Sequence, residues 1–480
     1  MKRIIYTSVA LLLSSVSLMA QQNLRTAYFL DGYTYNYKMN PALSPERGFF
    51  AMPVLGNLGL GVESNLGVST FLFPTSNGQL TTFLNNSVSS EEFMKGLRKS
   101  NKLNINLNTD IIAFGFRTGK AYHTVNLGLK ADSRAALPKS LFSFIKDGGS
   151  NGVNSWDISG VGVRTDARLE LAYGYSRPVL DWIHVGGRVK ILMGVAREDI
   201  RIDRLNLTMS EEVWKASASG HAEISAPVTI GTLSGSKEVD YNSISLPEDM
   251  QGYMDYLSKP SLGFALDLGA TFDFLDYFTA SVAVNDLGFI SWNHTTAAEM
   301  PGGTWSFDGF GNVTTDPDSG DTIGDQLGSI GEELLEIVKV EKTGEKLKKT
   351  HPLAATVHVG FEARMPFYER LSFGFLGTQR IDGNYSWTEG RISANVAPVN
   401  CFSAAASFAV SNFGSSVGAV LNLHFPGFGL YVGMDSFLPL TNVTPQYIPI
   451  GNLNTNLSLG INFSFGKAEG RYRMPKAKKD

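Results

Sequence analysis

Apolar residues alternate with small or polar residues over many segments of this chain. In one of them, Leu262, Phe264, Leu266 and Leu268 alternate with glycine, alanine and aspartate, and the segment 457–465 shows the same pattern. A period of two residues predicts β-strands whose two faces meet different surroundings. Segments of about 10 residues are long enough to cross a bilayer as tilted strands, although a soluble sandwich shows the same alternation.

The lengths of the connections distinguish these two fold classes. Short turns are predicted near 119–120, 177–181, 275–276, 366–369, 398–400 and 426–427, with longer loops between them. An outer-membrane barrel has short periplasmic turns at one end and long surface loops at the other. Aromatic residues also cluster beside the short turns, as expected of an interfacial girdle. The sequence therefore predicts an all-β fold, a transmembrane antiparallel β-barrel of about 14 strands over residues 48–466, with its first strand near 59–73.

Amphipathic helices are predicted within the long loops. Ser89 and Glu92 form a capping box that predicts the start of one of them. The predicted helices lie near 89–97, 137–146, 247–257 and 327–338. They fit either a lid over the mouth of the barrel or packing that orders the loops.

The N-terminus has the features of a secretory signal peptide over residues 1–20. Lys2 and Arg3 form a basic start, residues 4–13 are mostly apolar, and the segment ends in a small residue. This organisation predicts cleavage before Gln21 and export of the mature chain. We therefore expect a Gram-negative outer-membrane protein with outer-membrane lipid around its barrel.

Composition and charge exclude several other classes of protein. The formal net charge of −4 has the wrong sign for binding nucleic acid through bulk positive charge. The single cysteine, Cys401, excludes a disulfide scaffold and a cysteine-based metal site. The seven histidines show no metal-ligand spacing, and the aspartates from Asp316 to Asp325 resemble a calcium loop without its closing glutamate. We predict no enzyme activity, no catalytic residue, no cofactor and no metal.

The end of the chain resembles the signal by which barrel proteins are recognised for assembly. Residues 458–465 carry a polar residue, a glycine and two aromatic residues at the required spacing. The resemblance implies that the barrel-assembly machinery is a partner. The residues from 467 to 480 are basic and are predicted to form a periplasmic tail.

The segment 40–57 reads NPALSPERGFFAMPVLGN, and its start resembles the Asn-Pro-Ala element of FadL-type long-chain fatty-acid transporters. Together with SEEFMKGL and NDLGFISW, it also resembles a family of uncharacterised Bacteroidetes outer-membrane proteins. The resemblance implies that residues 21–47 form an N-terminal hatch inside the lumen. The residues assigned to the hatch by this element are Asn40, Pro41 and Ala42. No fatty-acid-binding residues are identifiable, so the ligand does not follow from the resemblance.

Six charged residues on the strands are predicted to face the lumen, because a charge on the lipid face would cost roughly 2–4 kcal/mol. They are Glu170, Arg188, Lys190, Asp267, Glu362 and Arg364. In a water-filled lumen these side chains would be solvated, and Asp267→Asn is expected to change folding little.

Two functions fit these observations. The first is a FadL-like channel or transporter for a hydrophobic or amphipathic small molecule, with the hatch as its gate. The alternative is a non-transporting surface scaffold, or a secretion-system partner that receives an exported protein. A large apolar pocket in the lumen favours the first function, and a sealed barrel with a surface platform favours the second.

Overall fold

The computed structural model describes residues 23–75, 79–147, 155–209, 213–307, 339–437 and 454–468. In chain order its strands are β1 (Gly48–Ala51), β2 (Leu58–Ser64), β3 (Leu72–Pro74), β4 (Leu80–Thr82), β5 (Ser100–Thr118), β6 (Ala121–Pro138), β7 (Ser155–Asp157), β8 (Gly162–Leu180), β9 (Ile183–Met209), β10 (Trp214–Ser225), β11 (Ser261–Phe274), β12 (Phe278–Phe307), β13 (Glu341–Pro352), β14 (Ala355–Met365), β15 (Tyr368–Ile381), β16 (Trp387–Val399), β17 (Phe402–Ser411), β18 (Gly414–Phe425), β19 (Phe428–Met434) and β20 (Thr455–Phe465). The helices are α1 (Ser90–Lys95), α2 (Lys139–Asp147) and α3 (Met250–Ser258), and 3-10 turns lie at Arg25–Ala27, Asn36–Lys38, Val68–Thr70, Tyr241–Ser243 and Gly383–Tyr385.

The strands form a closed antiparallel barrel with 14 wall positions. One position is shared by β1 and β2, which both pair with β20 on one side and with β5 on the other. Gly48 of β1 lies opposite Phe465 of β20, so the first and last parts of the wall meet. On the other side of the same wall position, Ser64 of β2 lies opposite Leu103 of β5. Closure satisfies the backbone hydrogen bonds that the edge of an open sheet would leave unpaired. The predicted fold class is confirmed.

Six tight turns join neighbouring wall strands at one end of the barrel. They lie at residues 119–120, 181–182, 275–277, 366–367, 400–401 and 426–427. Gly119 and Gly427 have φ values of +56° and +93° there, a conformation that glycine adopts without steric cost. All six are close to the predicted short turns. Most connections at the opposite end are longer, although only residues 412–413 join β17 to β18 there.

The predicted first strand at 59–73 was too long, because β2 already ends at Ser64. The chain then leaves the wall, and apolar side chains such as Phe71 pack against α1 and α2. Phe93 and Phe142 form the buried centre of this cluster. The apolar pattern after Ser64 therefore reflects packing of a loop and not the alternation of a wall strand.

Three of the four predicted loop helices are present as α1, α2 and α3. The Ser89 side chain accepts a hydrogen bond from the backbone nitrogen of Glu92, as the capping box predicts. The predicted helix at 327–338 lies outside the described residues. So do the signal peptide, the aspartates from Asp316 to Asp325 and most of the basic tail.

The outer face of the wall is apolar and the inner face is polar. On β11, Leu262 and Leu268 are 53% and 52% exposed, whereas Asp267 is fully buried. The main hydrophobic core lies inside the barrel, between the wall and the N-terminal residues. Among the residues that the structure describes, no helix is long and apolar enough to cross a membrane.

Two strands continue far beyond the end of β11. β9 has 27 residues and β12 has 30, and their far halves pair with β10 and β13. We call the resulting sheet, residues 195–209, 214–225, 291–307 and 341–352, the platform. Nε2 of His351 lies 2.8 Å from Oε2 of Glu223 across it, and this hydrogen bond lowers the pKa of Glu223 to about 2. The platform is thus ordered by specific polar contacts.

Candidate functional site: the lumen

Residues 23–47, which we call the lumenal segment, lie inside the barrel. Most of their side chains are buried, and Tyr28, Tyr35 and Tyr37 are each at most 2% exposed. These rings share one hydrophobic cluster with side chains of the wall, including Tyr431. Tyr33 meets Tyr431 edge to face with ring centroids 5.0 Å apart, a favourable geometry for aromatic pairs. The aromatic run of the segment therefore builds the core of the protein within the lumen.

The predicted hatch element lies at the centre of this packing. The backbone nitrogen of Ala42 donates to Oδ1 of Asn40 at 3.0 Å, which closes a local turn through Pro41. Nδ2 of Asn40 donates to the hydroxyl of Tyr28 at 3.0 Å. From the wall, Nδ2 of Asn285 donates to the carbonyl of Met39 at 2.8 Å. The element is fixed by hydrogen bonds both within the segment and to the wall.

A pair of glycines in the wall makes room for this turn. Gly186 of β9 and Gly269 of β11 lie opposite each other in the sheet register. A Cβ added at Gly186 would lie 2.2 Å from the carbonyl oxygen of Pro41, and one at Gly269 would lie 2.0 Å from Oδ1 of Asn40. Only glycine allows the backbone of the segment to approach the wall this closely.

Arg25 attaches the start of the lumenal segment to three buried carboxylates. Its Nη2 lies 2.5 Å from Oε1 of Glu63, and its Nε lies 3.3 Å from Oε1 of Glu389. Oδ2 of Asp435 is 3.5 Å from the same Nε and accepts a hydrogen bond from the Arg25 backbone at 2.9 Å. Buried charges are tolerated only when they are paired in this way.

Two further ion pairs tie the segment to other parts of the wall. Nζ of Lys38 lies 2.6 Å from both carboxylate oxygens of Asp110. The guanidinium of Arg364 donates to both carboxylate oxygens of Asp31 at 2.8 and 2.9 Å, and it lies 3.2 Å from Glu362. The two lumen-facing residues predicted on β14, Glu362 and Arg364, therefore lie beside the segment.

The other four predicted lumen charges meet in one buried cluster. Asp267 Oδ2 lies 2.9 Å from Arg188 Nη1, and its Oδ1 lies 2.7 Å from Lys190 Nζ. Lys190 also lies 3.6 Å from Glu170 and 2.6 Å from Asp286. The lumen around Asp267 is packed and not water-filled, so the expectation that Asp267→Asn changes folding little does not hold. We now expect this substitution to destabilise the barrel, because it removes the anion shared by two buried cations.

Sequence reasoning missed many of the charges that face the lumen. Arg164, Asp166 and Arg168 precede Glu170 at a period of two on β8, and Asp132 belongs to a similar series on β6. The signal is present in the sequence, because these charged residues follow the same period of two that predicts strands elsewhere in the chain.

Several cavities interrupt the packing of the lumen among the described residues, and two of them are lined mainly by charged side chains. The larger, of about 60 Å³, lies against the lumenal segment and is lined by Arg25, Lys38, Lys130, Asp132, Arg168, Lys190, Asp286 and Arg380, with Asn23, Met39, Leu107, Asn108, Asn285, Thr356 and His358. The smaller, of about 10 Å³, is lined by residues that include Arg134, Arg164, Arg197 and Asp382. Within the described ranges, no group of three or more His, Cys, Asp or Glu side chains is arranged to hold a metal ion. Charged side chains dominate both cavities.

Comparison with known proteins gives one family match. The model of a family of unknown function, DUF5723, matches residues 41–435. No curated protein matches the chain.

Several solved structures are similar to this chain at low identity. The Ralstonia pickettii toluene transporter TbuX is 11% identical, with 92% of this chain and 100% of that chain covered and a TM-score of 0.41. The Pseudomonas putida toluene transporter TodX is 10% identical, with 93% and 97% covered and a TM-score of 0.38. A Pseudomonas aeruginosa FadL homologue is 12% identical, with 94% and 100% covered and a TM-score of 0.37. Similarity this distant assigns no function.

Proposed function

This chain belongs to the DUF5723 family of unknown function, and we propose that it is an outer-membrane channel that its own N-terminal segment closes. The observation that carries the proposal is the lumenal segment, which fills the barrel and is held by polar contacts as well as by packing. Ion pairs and hydrogen bonds can be exchanged for water when a segment moves, whereas a purely apolar contact resists hydration. Transport requires the segment to leave its place against Gly186 and Gly269.

The apolar outer face supports the placement in a membrane. Contiguous exposed apolar surface of this extent is disfavoured in water and suits lipid. The closing strand β20 carries the sequence that resembles an assembly signal, so we propose insertion by the barrel-assembly machinery. The polar face of the wall points into the barrel, away from lipid.

Leu268→Arg is expected to destabilise the inserted barrel by roughly 2–4 kcal/mol, because it places a cation on the lipid face near the middle of β11. Leu246→Arg is the matched control, since Leu246 is 61% exposed in a loop outside the wall. Urea titration in lipid vesicles measures both free energies of unfolding. Equal costs at the two positions would contradict the membrane placement.

We also propose that the tight turns lie on the periplasmic side and that the longer loops lie at the cell surface. In a background in which Cys401 is replaced by serine, Ser234→Cys in the exposed loop after β10 is expected to react with a membrane-impermeant maleimide on intact cells. Lys120→Cys, in the exposed turn between β5 and β6, is expected to react only after the outer membrane is opened. The reverse labelling pattern would place the tight turns at the cell surface.

We propose an amphipathic passenger. Of the hydrophobic and amphipathic ligands suggested by the sequence, an amphipathic one suits the charged lining of the described cavities better. We propose no enzyme activity and no cofactor.

A second candidate function is favoured by the platform. A filled barrel with an ordered sheet beyond its rim is also suited to receiving an exported protein at the surface. A photo-reactive amino acid at Leu233, which is 43% exposed in the loop after β10, tests this candidate in cells. One reproducible crosslinked exported protein, together with the absence of conductance, would favour this function over the channel.

A further inference from the structure

We propose that the lumen binds a phosphate-type oxyanion between Arg168 of β8 and Arg380 of β15. Binding of the anion follows from the geometry alone. A role of this site in selecting a passenger rests on the proposed channel function. The two arginines extend from separate parts of the wall, and both line the larger and the smaller cavity. They therefore stand at the boundary between the two spaces.

Both guanidinium groups are buried, and the carboxylates beside them lie 3.4 Å or more away. Arg168 is 4% exposed and Arg380 is 6% exposed, and neither Nε has a hydrogen-bond partner among the described residues. The Arg168 nitrogens lie 3.6 Å from Asp132 and 3.6 Å from Asp286, and Arg380 lies 3.4 Å from Asp132. Charge-assisted hydrogen bonds are about 2.7–2.9 Å long, so these contacts are not hydrogen bonds of that kind.

Arg188 in the same lumen has a close acceptor at each of its two terminal nitrogens, although its Nε, like those of Arg168 and Arg380, has no hydrogen-bond partner among the described residues. Its Nη1 donates to Asp267 at 2.9 Å, and its Nη2 donates to Asn126 at 2.6 Å. An arginine has five N–H donors and no acceptor, and leaving buried donors unused is costly. Among the described residues, the terminal nitrogens of Arg168 and Arg380 lack an acceptor as close as those of Arg188, and both side chains line a cavity in which an acceptor fits.

The size and charge of the larger cavity indicate the kind of ligand. Its 60 Å³ is space for about four to six water molecules, which matches a five-atom oxyanion. Six cationic side chains and two carboxylates line it. The carboxylates of Asp132 and Asp286 oppose an anion, but both are already shared among several of these cations. Two guanidinium forks with neighbouring ammonium groups suit a tetrahedral dianion, which accepts from several directions.

The oxyanion has two sources, free phosphate and the phosphorylated head of an amphiphile. Isothermal titration of the purified full chain in a non-ionic detergent, at constant ionic strength, distinguishes them with inorganic phosphate and dodecyl phosphate as probes. We expect phosphate to bind. Binding of dodecyl phosphate at least about tenfold more tightly would identify a headgroup site, and equal affinities would identify a site for the free ion.

The variant R168Q/R380Q is expected to bind phosphate at least about tenfold more weakly, since each lost hydrogen bond to a charged group is substantial. R201Q is the matched control, because Arg201 lies in the platform and lines neither cavity. Heat-modifiable migration on gels reports folding, and the single variants R168Q and R380Q replace the double variant if it does not fold. Absence of phosphate binding by the folded protein, or equal weakening in R201Q, would overturn the site.

Conductance in planar bilayers separates this inference from the proposed function. If the protein binds phosphate through Arg168 and Arg380 but never conducts, the binding site is supported and the channel function is overturned. If the protein conducts, but neither its current nor its heat of titration changes with phosphate, the channel function is supported and the binding site is overturned.

Discussion

Gly186→Val is expected to open the barrel. The added Cβ would lie 2.2 Å from the carbonyl oxygen of Pro41, so either the wall or the lumenal segment must move. The wall strand β9 is hydrogen-bonded to β8 and β11 on its two sides, and valine is favoured in strands. The segment therefore yields. Overpacking of this kind costs about 1–3 kcal/mol, which shifts a closed–open equilibrium by about 5- to 150-fold.

Gly187→Val provides the matched control for this prediction. The atoms nearest to a Cβ at Gly187 lie 3.6 Å away, an ordinary contact distance, and they belong to Asp267 and Leu268 of the wall. Single-channel recording in planar bilayers measures the open probability of both variants, and gel migration confirms that both are folded. If folded Gly186→Val conducts no more than the control, the lumenal segment is not the gate.

Arg25→Gln is expected to cost about 3–5 kcal/mol in the free energy of unfolding, since removing one partner leaves buried charges uncompensated. Arg25 contacts Glu63, Glu389 and Asp435, all of which are buried. Glutamine is shorter than arginine and supplies no charge to these three carboxylates. We therefore expect the start of the lumenal segment to detach, with raised conductance in the barrels that remain folded.

Lys95→Gln is the control for loss of a cation that is paired at the surface. Lys95 lies 3.0 Å from Glu91 in α1, and both side chains are more than 70% exposed. Solvent-exposed pairs of this kind contribute little, about 0.3–0.5 kcal/mol. Urea titration in vesicles compares the two variants, and R25Q/E389Q is expected to recover part of the loss. A cost at Arg25 no larger than that at Lys95 would mean that water screens the interior of the lumen.

The alternation of single residues was sufficient to predict the wall. Whether a side chain such as Leu268 or Asp267 faces outward or inward depends only on its position in a strand, because successive side chains point to opposite faces. The tight turns were also predictable, since they depend on a few adjacent residues such as Gly427. The error at 59–73 arose because a loop that packs its own apolar cluster can imitate a strand in sequence.

The contents of the lumen were decided by the tertiary structure. Arg25 and Asp435 are 410 residues apart in the chain, and no local pattern relates them. The sequence predicted the face of Asp267 but not that Arg188 and Lys190 would enclose it, because that depends on which strands become neighbours. The same holds for the weakly paired Arg168 and Arg380. Local periodicity fixes which way a side chain points, whereas its partners, its burial and the cost of its charge are fixed only when the barrel closes around the lumenal segment.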